Sequence, residues 1–295
     1  MPPNGPQRPD TLIALRYHES TKHHFNRFAR SLGYLDWASQ PDPFRRYAGA
    51  PLVELARGPL AGGVAYPALF DRTVPPVPFS DASIAEFLRC SMGLSAWKQH
   101  QRTRWALRVN PSSGNLHPTE AYAVRDGRVC HYAPREHAFE ERSALPADAW
   151  SAFAAGRPGL LVALTSILWR EAWKYGERAF RYCQHDAGHA IGALRIAAAT
   201  LGWSALVLKG VADDTIEALL GLDRAADFDS AERESAEVVM ALWPGEAAAS
   251  HSGLDAQAVN ELKRGCWYGK ANRLTRDDPV RWEIIDTVSQ AARKP

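Results

Sequence analysis

The chain has 295 residues, of which 46% are hydrophobic and ten are tryptophan. This length suits one large domain or two small ones, and the composition allows a substantial apolar core. The formal net charge is +2 and no basic run exceeds two residues, so the charge pattern typical of nucleic-acid-binding proteins is absent. We therefore predict no nucleic-acid partner.

Cysteine spacing and hydropathy exclude further classes of protein. The four cysteines lie far apart and form no Cys-x-x-Cys pair, which argues against a zinc ribbon and against a disulfide framework. The polar, proline-rich N-terminus lacks a signal-peptide pattern, and no apolar stretch approaches the ~18–20 residues of a membrane helix. The sequence predicts a soluble, cytoplasmic protein that does not contact a membrane.

Residues 1–79 are predicted to form an N-terminal arm. Residues 1–10 are polar and proline-rich and are expected to be disordered. Apolar and aromatic residues at helical spacing predict a helix from Leu12 to Leu32 that ends at Gly33. Between residues 36 and 78 the chain is rich in proline, glycine and aromatic side chains and predicts no long element.

Residues 80–245 are predicted to form one α+β domain, followed by a C-terminal extension over residues 246–295. Five strands are expected in the domain, and Asp126-Gly127 between the first two is the strongest two-residue hairpin signal. The first strand alternates between apolar and polar residues. The predicted strands are Glu120–Arg125, Arg128–Tyr132, Gly159–Thr165, Ser204–Lys209 and Glu237–Trp243.

Three helices are predicted in the same domain. The first follows Ser80, and Ser83 and Glu86 have the spacing of a capping box. Apolar residues at spacings of three and four predict a long helix over Phe180–Leu201. Six alanines along it would let another helix or a partner subunit approach closely. A short helix is expected after Asp213.

The segment from Arg108 to Pro118, Arg-Val-Asn-Pro-Ser-Ser-Gly-Asn-Leu-His-Pro, concentrates hydroxyls, amides and prolines in one turn. Prolines fix the backbone and lack a donor, while Gly114 lets another group approach the main chain. Hydroxyl and amide side chains add donors and acceptors. Such a turn suits a ligand with phosphate and many polar edges, such as flavin mononucleotide (FMN), although composition alone is equally compatible with a surface loop.

Followed by Thr-Glu-Ala-Tyr, this turn resembles the flavin-contacting turn of the nitroreductase superfamily, and its closest branch is the SagB-type dehydrogenases. The resemblance runs from about Ser80 to Gly245. It implies a nitroreductase-like α+β fold with a mainly antiparallel sheet flanked by helices, and a two-fold homodimer with FMN at the interface. It also implies that five turn residues bind the flavin: Pro111, Ser112, Ser113, Gly114 and Asn115.

The resemblance extends to two further cofactor contacts. Arg108 resembles the arginine that precedes the turn in SagB-type enzymes, so it is expected near the flavin phosphate, where Arg104 could assist. Leu208, Lys209 and Gly210 lie where relatives carry a glycine-containing loop against the flavin ring. The family commonly shows a Gly-Gly-Phe-type run there, whereas this chain has Lys-Gly-Val.

Lys174 and Tyr175 are the predicted catalytic residues. They are adjacent and precede the long helix, so an ammonium and a phenol can reach one cavity. SagB-type enzymes carry a similar Lys-Tyr pair, implicated in removing a proton while flavin N5 takes hydride. The residues alone leave a structural role open, in which the lysine only snorkels and the tyrosine packs.

No metal site is predicted. His185 and His189 have the spacing of metal ligands on a helix, yet the glutamate of a His-Glu-x-x-His site is absent and no third ligand stands out. The chain also lacks a phosphate loop and a Gly-x-Gly-x-x-Gly dinucleotide fingerprint. Any NAD(P)H would therefore bind transiently over the flavin.

The leading prediction is a homodimeric, FMN-dependent oxidoreductase of the SagB type that acts on a small organic or modified-peptide substrate. One alternative is an NAD(P)H-dependent reductase of nitro compounds or quinones, in which Lys174 and Tyr175 are structural. A second is a non-catalytic flavin-binding or interaction protein. The two arms are expected to cap the partner's active site, because their tryptophans are costly to expose.

Overall fold

The computed structural model describes residues 8–58, 63–144, 159–245, 254, 259–261, 263–277 and 280–295. The described helices are α1 (Pro9–Thr21), α2 (Tyr66–Asp71), α3 (Asp81–Arg89), α4 (Leu168–Tyr175), α5 (Ala179–Thr200), α6 (Asp213–Leu220) and α7 (Glu283–Ala291). The described strands are β1 (Tyr47–Ala48), β2 (Leu52–Glu54), β3 (Leu94–His100), β4 (Thr103–Arg108), β5 (Thr119–Arg125), β6 (Arg128–Ala133), β7 (Ala138–Ala144), β8 (Leu160–Ser166), β9 (Trp203–Val207), β10 (Ser235–Pro244), β11 (Cys266–Trp267) and β12 (Lys270–Ala271).

The centre of the molecule is an eight-stranded sheet whose described pairings are all antiparallel. Its strand order is β11-β7-β6-β5-β8-β10-β9, and β2 also pairs with β7. Apolar side chains of α3 and α5 pack on one face, and those of α6 and the N-terminal arm pack on the other. The predicted antiparallel α+β architecture is confirmed.

Both faces of the central strands are covered, which explains a difference from the predicted pattern. Six of the seven residues of β5 are buried, so β5 is not the half-exposed strand that its alternation suggested. The reason is that two polar side chains of β5 meet buried partners instead of water. Glu120 meets Arg170 and His131. Tyr122 meets Tyr47 and Glu234. The predicted hairpin is present: Asp126 and Gly127 both have positive φ, 50° and 75°, as a tight two-residue turn requires.

Several predicted functional segments lie at one edge of the sheet, where β5 and β10 begin and β8 ends. Thr119 at the start of β5 pairs with Ser166 at the end of β8, and Ser166 pairs with Ser235 at the start of β10. The Leu208 N–H, just after β9, donates to the carbonyl of Val239. The turn that precedes β5 and the loop that follows β9 therefore lie at the same edge.

The N-terminal helix differs from its prediction. It ends at Thr21, not at Gly33, and Lys22 already has extended backbone angles. The apolar spacing after Thr21 does not mark a buried face, because Phe25 is fully exposed and Phe28 is 71% exposed. Pro9 and Asp10 are helical, so the predicted disorder does not extend to them, and residues 1–7 lie outside the described part.

The predicted capping box of α3 also needs correction. The cap of α3 is Ser80, whose side chain accepts from the Ser83 N–H while the Ser83 hydroxyl accepts from the Ser80 N–H. Glu86 instead pairs with Arg89. Sequence analysis missed the β3–β4 ribbon, because its exposed residues from Ser95 to Arg104 show no apolar alternation.

Parts of both predicted arms pack on this chain's own sheet. β1 pairs with β12, β2 pairs with β7, and Tyr47 is fully buried among core residues. Trp37 remains 63% exposed. That the arms cap a partner's active site, and that the chain divides at residues 80 and 245, stay predictions. Within the described ranges, no helix is both long and apolar enough to cross a membrane.

Candidate active site

The predicted flavin turn connects β4 to β5 and is held by its own side chains. The Ser112 hydroxyl accepts from the His117 N–H at 2.8 Å, and the Ser112 carbonyl accepts from the Asn115 N–H at 3.1 Å. Asn115 donates from its amide to the Ala106 carbonyl at 2.8 Å, and its oxygen meets the His117 ring at 2.9 Å. The Asn115 side chain therefore stabilises the turn itself, and Gly114 at its tip has φ +63°.

Asp186 of α5 ties the turn to the long helix. Both of its carboxyl oxygens accept from the Ser113 N–H at 3.1 Å, and one also accepts from the Ser113 hydroxyl at 3.3 Å. Burial raises the pKa of Asp186, and the hydrogen bonds from Ser112 and Ser113 partly offset that rise. An acidic residue within the apolar stripe of α5 was the sequence signal for this contact, and sequence analysis did not use it.

Lys174 and Tyr175 lie directly against the tip of the turn. A Cβ atom built on Gly114 would be 2.7 Å from the Tyr175 hydroxyl and 3.1 Å from the Lys174 Nζ. The two motifs that sequence analysis singled out thus meet in space, although about sixty residues separate them in the chain. Burial raises the pKa of Tyr175 to about 12, so this phenol is neutral at physiological pH.

The pair belongs to a short helix of its own. Lys174 and Tyr175 end α4, and Gly176 separates α4 from α5 with φ +53°. A Cβ atom on Gly176 would lie 2.5 Å from the Arg30 carbonyl of the N-terminal arm, so only glycine allows this close approach. The Tyr175 ring also packs on Tyr182 of α5, with centroids 4.3 Å apart.

The N-terminal arm supports α4 from the other side. The indole of Trp173 is fully buried, donates to the Ser39 hydroxyl at 3.1 Å and packs edge-on against Trp37. The Glu177 carboxylate accepts from Arg30, and the Tyr17 hydroxyl donates to the Glu177 carbonyl at 2.7 Å. The arm thereby holds the α4–α5 junction, which carries the candidate catalytic pair, in place.

The predicted phosphate-binding arginines have other contacts. Arg108 is buried, and its terminal nitrogens donate to the carbonyls of Thr119 and Pro43. Burial lowers the pKa of Arg108 to about 10. One terminal nitrogen thus bonds to the base of the turn and the other to the N-terminal arm, and the phosphate role of Arg108 stays a prediction. Arg104 lies on the exposed ribbon with its guanidinium 4.3 Å from the centre of the Trp97 ring.

The remaining predicted cofactor residues differ in exposure. Pro111 is exposed at the start of the turn. Leu208 is buried in the core cluster, whereas Lys209 and Gly210 are exposed at the sheet edge that carries the turn. His185 and His189 are both exposed on α5, and the described residues contain no group of three or more metal-ligating side chains.

A chain of buried charges runs beneath the turn. Arg170 of α4 donates to the His117 carbonyl at 2.7 Å and also to Glu120. Glu120 accepts from His131 at 3.0 Å, and His131 contacts Glu140 at 2.9 Å. Glu140 then pairs with Arg46 of the arm. No local pattern in the sequence signals these charges, because they come from five separate segments.

The charge of His131 predicts a loss of stability in alkaline solution. Burial alone would lower the pKa of His131, but hydrogen bonds to Glu120 and Glu140 raise it to about 9. A raised histidine pKa contributes stability that is complete below pH 6.5 and is lost as the pH rises through 9. We expect the free energy of unfolding to fall by about 3 kcal/mol over this range, measured by urea unfolding. An equal fall in a His131→Gln variant would contradict this assignment.

Substituting the glycine at the tip of the turn tests the contact with the catalytic pair. Gly114→Ala is expected to lower the free energy of unfolding by about 1–2 kcal/mol, since the residue has positive φ and its Cβ would meet Tyr175. Gly63→Ala is the control, because Gly63 lies outside the left-handed region and its Cβ would meet nothing within 4 Å. Chemical denaturation measures both; equal effects would show that the turn tolerates a side chain.

The fold and the turn identify the family. A model of the nitroreductase family matches residues 78–242, more than half of the chain. The chain belongs to the nitroreductase family. This membership confirms the predicted family. No curated protein matches the chain significantly.

One solved structure supports the fold, and two others are more distantly similar. A candidate nitroreductase from Anabaena variabilis is 25% identical, with a TM-score of 0.59 over 78% of this chain and 46% of that one. This nitroreductase-family chain therefore spans just under half the length of that relative. A candidate nitroreductase from Ralstonia eutropha is 16% identical, with a TM-score of 0.47 over 73% of this chain and 97% of that one. The Escherichia coli microcin synthetase McbBCD, with truncated pro-MccB17 bound, is 16% identical, with a TM-score of 0.44 over 66% and 77% of the two chains.

Proposed function

We propose that this chain is an FMN-dependent oxidoreductase of the SagB type, which moves hydride between the flavin and a small organic or peptide-derived substrate. The observation that carries the proposal is the contact of Lys174 and Tyr175 with Gly114. It unites two groups able to transfer a proton with the turn that the family uses for its flavin. Family membership supports the cofactor, and the Lys-Tyr pair supports the branch.

The residues of the turn fit the ring side of FMN. Gly114 is exposed, and Ser112 and Ser113 are partly exposed beside it, so a flat ring can approach the backbone of the turn. Lys209 and Gly210 are exposed at the same sheet edge and would contact the cofactor from the other side. Bound FMN would supply the hydride chemistry at N5, while the protein supplies orientation and exclusion of water.

The two catalytic groups have different proton-transfer roles in this proposal. Tyr175 keeps its proton at neutral pH because burial raises its pKa to about 12, so it donates a hydrogen bond to the substrate. Lys174 Nζ lies on the same side of Gly114 and takes or returns the substrate proton. Placing both groups against one glycine orients the proton transfer beside the reacting atom of the substrate.

Homodimerisation through α5 is part of the proposal. The alanines buried on α5 face this chain's own sheet, whereas Gly188 and Gly192 have open space where a Cβ would lie and Ile196 is 62% exposed. These residues are four apart, so they share one helix face, and small residues there let the same helix of a second copy pack closely. This face is a better candidate interface than the alanines that the sequence suggested.

A bulky charge on this face tests the dimer. Gly192→Arg is expected to give a monomer that has lost most of its FMN, because the proposed interface forms part of the cofactor site. Light scattering and the flavin absorbance per chain measure the two effects. Arg195→Ala changes the exposed surface next to this face, and its effects on the oligomeric state and on the flavin content should be smaller. A Gly192→Arg protein that remains dimeric would rule out this interface.

The visible absorption spectrum of the purified protein, with the released cofactor identified after denaturation, tests the function. We expect a bound oxidised flavin and about one FMN per chain. A colourless protein that refuses added FMN would overturn the proposal and favour a non-catalytic protein. Stopped-flow mixing with NAD(P)H then separates the chemistries, since rapid flavin reduction would favour a nitro or quinone reductase with NAD(P)H as transient donor.

A further inference from the structure

Glu171 is a buried acid next to the candidate catalytic pair that the mechanism above does not use. It lies three residues before Lys174 and four before Tyr175, so α4 carries all three on neighbouring turns. Its side chain is completely buried, and neither carboxyl oxygen has a hydrogen-bond donor among the described residues. An ionised carboxylate would be costly in this environment, because nothing replaces the water that it loses.

The polar neighbour of Glu171 is another carboxyl group. Asp186 of α5 faces it, and two carboxyl groups form a hydrogen bond only when one of them carries a proton. Asp186 is the better site for the negative charge, because it already accepts from the N–H and the hydroxyl of Ser113. Glu171 accepts from neither, so the shared proton belongs on Glu171.

We propose that Glu171 is a neutral carboxylic acid that donates a hydrogen bond to Asp186, and that this pair positions the Ser113–Gly114 turn against Lys174 and Tyr175. Glu171 neighbours Asp186, Asp186 accepts from the Ser113 N–H, and Gly114 lies against the catalytic pair. Glu171 is a positioning residue. Only its effect on proton transfer rests on the proposed function; its protonation does not.

The surrounding charges are consistent with this arrangement. On α4 the facing groups are Lys174 and Tyr175; on α5 they are Asp186 and the buried thiol of Cys183. Burial and the charge of Asp186 raise the pKa of Glu171 well above its usual value, and Lys174 lowers it only in part. With Glu171 uncharged, Lys174 has no fixed carboxylate on its own helix and remains available to a substrate.

The dependence of stability on pH tests the protonation without any flavin chemistry. A raised carboxyl pKa contributes stability that is complete below the unfolded value of about 4.5 and is lost as the pH rises. Glu171→Gln mimics the neutral acid and removes this loss. Between pH ~5 and ~8 we expect its unfolding equilibrium constant to fall relative to wild type by up to about tenfold per pH unit.

A matched control and the opposing result follow from the same experiment. Glu54→Gln replaces an exposed glutamate of β2, and its ratio to wild type should not change with pH. A ratio for Glu171→Gln that is also flat, or that moves in the opposite direction, would show that Glu171 is ionised in the folded protein and would overturn the proposal. This outcome is independent of whether FMN binds.

Three further measurements complete the test. The first does not require a variant to fold, and the other two test the positioning role. Infrared spectra of wild-type protein with ¹³C-labelled glutamate should contain the C=O band of a buried, un-ionised glutamic acid at neutral pH; its absence would overturn the proposal. In Glu171→Gln the pH profile of kcat should keep its wild-type midpoint, because the charge beside Lys174 is unchanged. Asp186→Asn should weaken FMN binding, since its amide cannot accept the same bonds from Ser113. Wild-type FMN affinity in that variant would exclude the positioning role.

Discussion

Replacing Lys174 by alanine together with Tyr175 by phenylalanine is expected to lower kcat by about 10²–10⁴-fold while FMN remains bound. The double variant removes the ammonium and the phenolic hydroxyl that lie 3.1 and 2.7 Å from the Cβ position of Gly114. The main cofactor contacts proposed here come from the turn, which the substitutions leave in place. Steady-state turnover and the flavin spectrum of the same preparation measure the two expectations.

A matched control separates chemistry from packing. Tyr182→Phe removes the hydroxyl of the tyrosine that stacks on Tyr175, and it should retain most of the turnover because that hydroxyl contacts Arg178 instead of the turn. Full turnover in the Lys174→Ala, Tyr175→Phe protein with FMN bound would show that the pair is structural. The alternative of an NAD(P)H-dependent nitro or quinone reductase would then be favoured.

Glu120→Gln is expected to destabilise the fold by about 3–5 kcal/mol, the largest stability effect that we expect. Burial alone would raise the pKa of Glu120, but the charges of Arg170 and Arg108 and the hydrogen bond from His131 lower it to about 2. The amide keeps the size of the side chain and removes its charge. Two buried guanidinium groups would then lose their shared anion, and each would remain desolvated.

Urea unfolding at neutral pH measures this loss, and Glu54→Gln on the exposed strand β2 provides the comparison. We expect the Glu54 variant to stay within about 0.5 kcal/mol of wild type. If Glu120→Gln were equally mild, water or a movement of Arg170 would have to replace the missing charge. The beginning of β5, and with it the base of the candidate flavin turn, would then be less rigid than these contacts imply.

Local patterns predicted the elements whose signals lie within a few residues. The Asp126-Gly127 hairpin follows from backbone angles that only certain residues adopt easily, and the long helix follows from a periodic apolar stripe. The same reasoning overextended the first helix to Gly33, because aromatic spacing there does not reflect burial. It also missed α4, whose eight residues carry no capping signal.

The candidate site combines both kinds of information. Sequence resemblance alone selected the turn from Pro111 to Asn115 and the pair Lys174–Tyr175, but it contained nothing about the distance between them. It assigned Arg108 to a phosphate, whereas in the folded chain the terminal nitrogens of that guanidinium donate to the carbonyls of Thr119 and Pro43. It did not select Asp186 or Glu171. The role of a buried acidic residue depends on the groups that pack against it, and the sequence does not show these groups.

The amino-acid sequence by itself determined the family, the fold class and the chemical character of the turn and of the Lys-Tyr pair. These depend on residue types within short segments, where backbone preference and side-chain chemistry act locally. Only the tertiary structure decided that Gly114 meets Lys174 and Tyr175, that Asp186 anchors Ser113, and that Glu171 is buried without a donor. These contacts depend on which polar and charged side chains are buried next to each other. Packing between segments that are distant in the chain determines this.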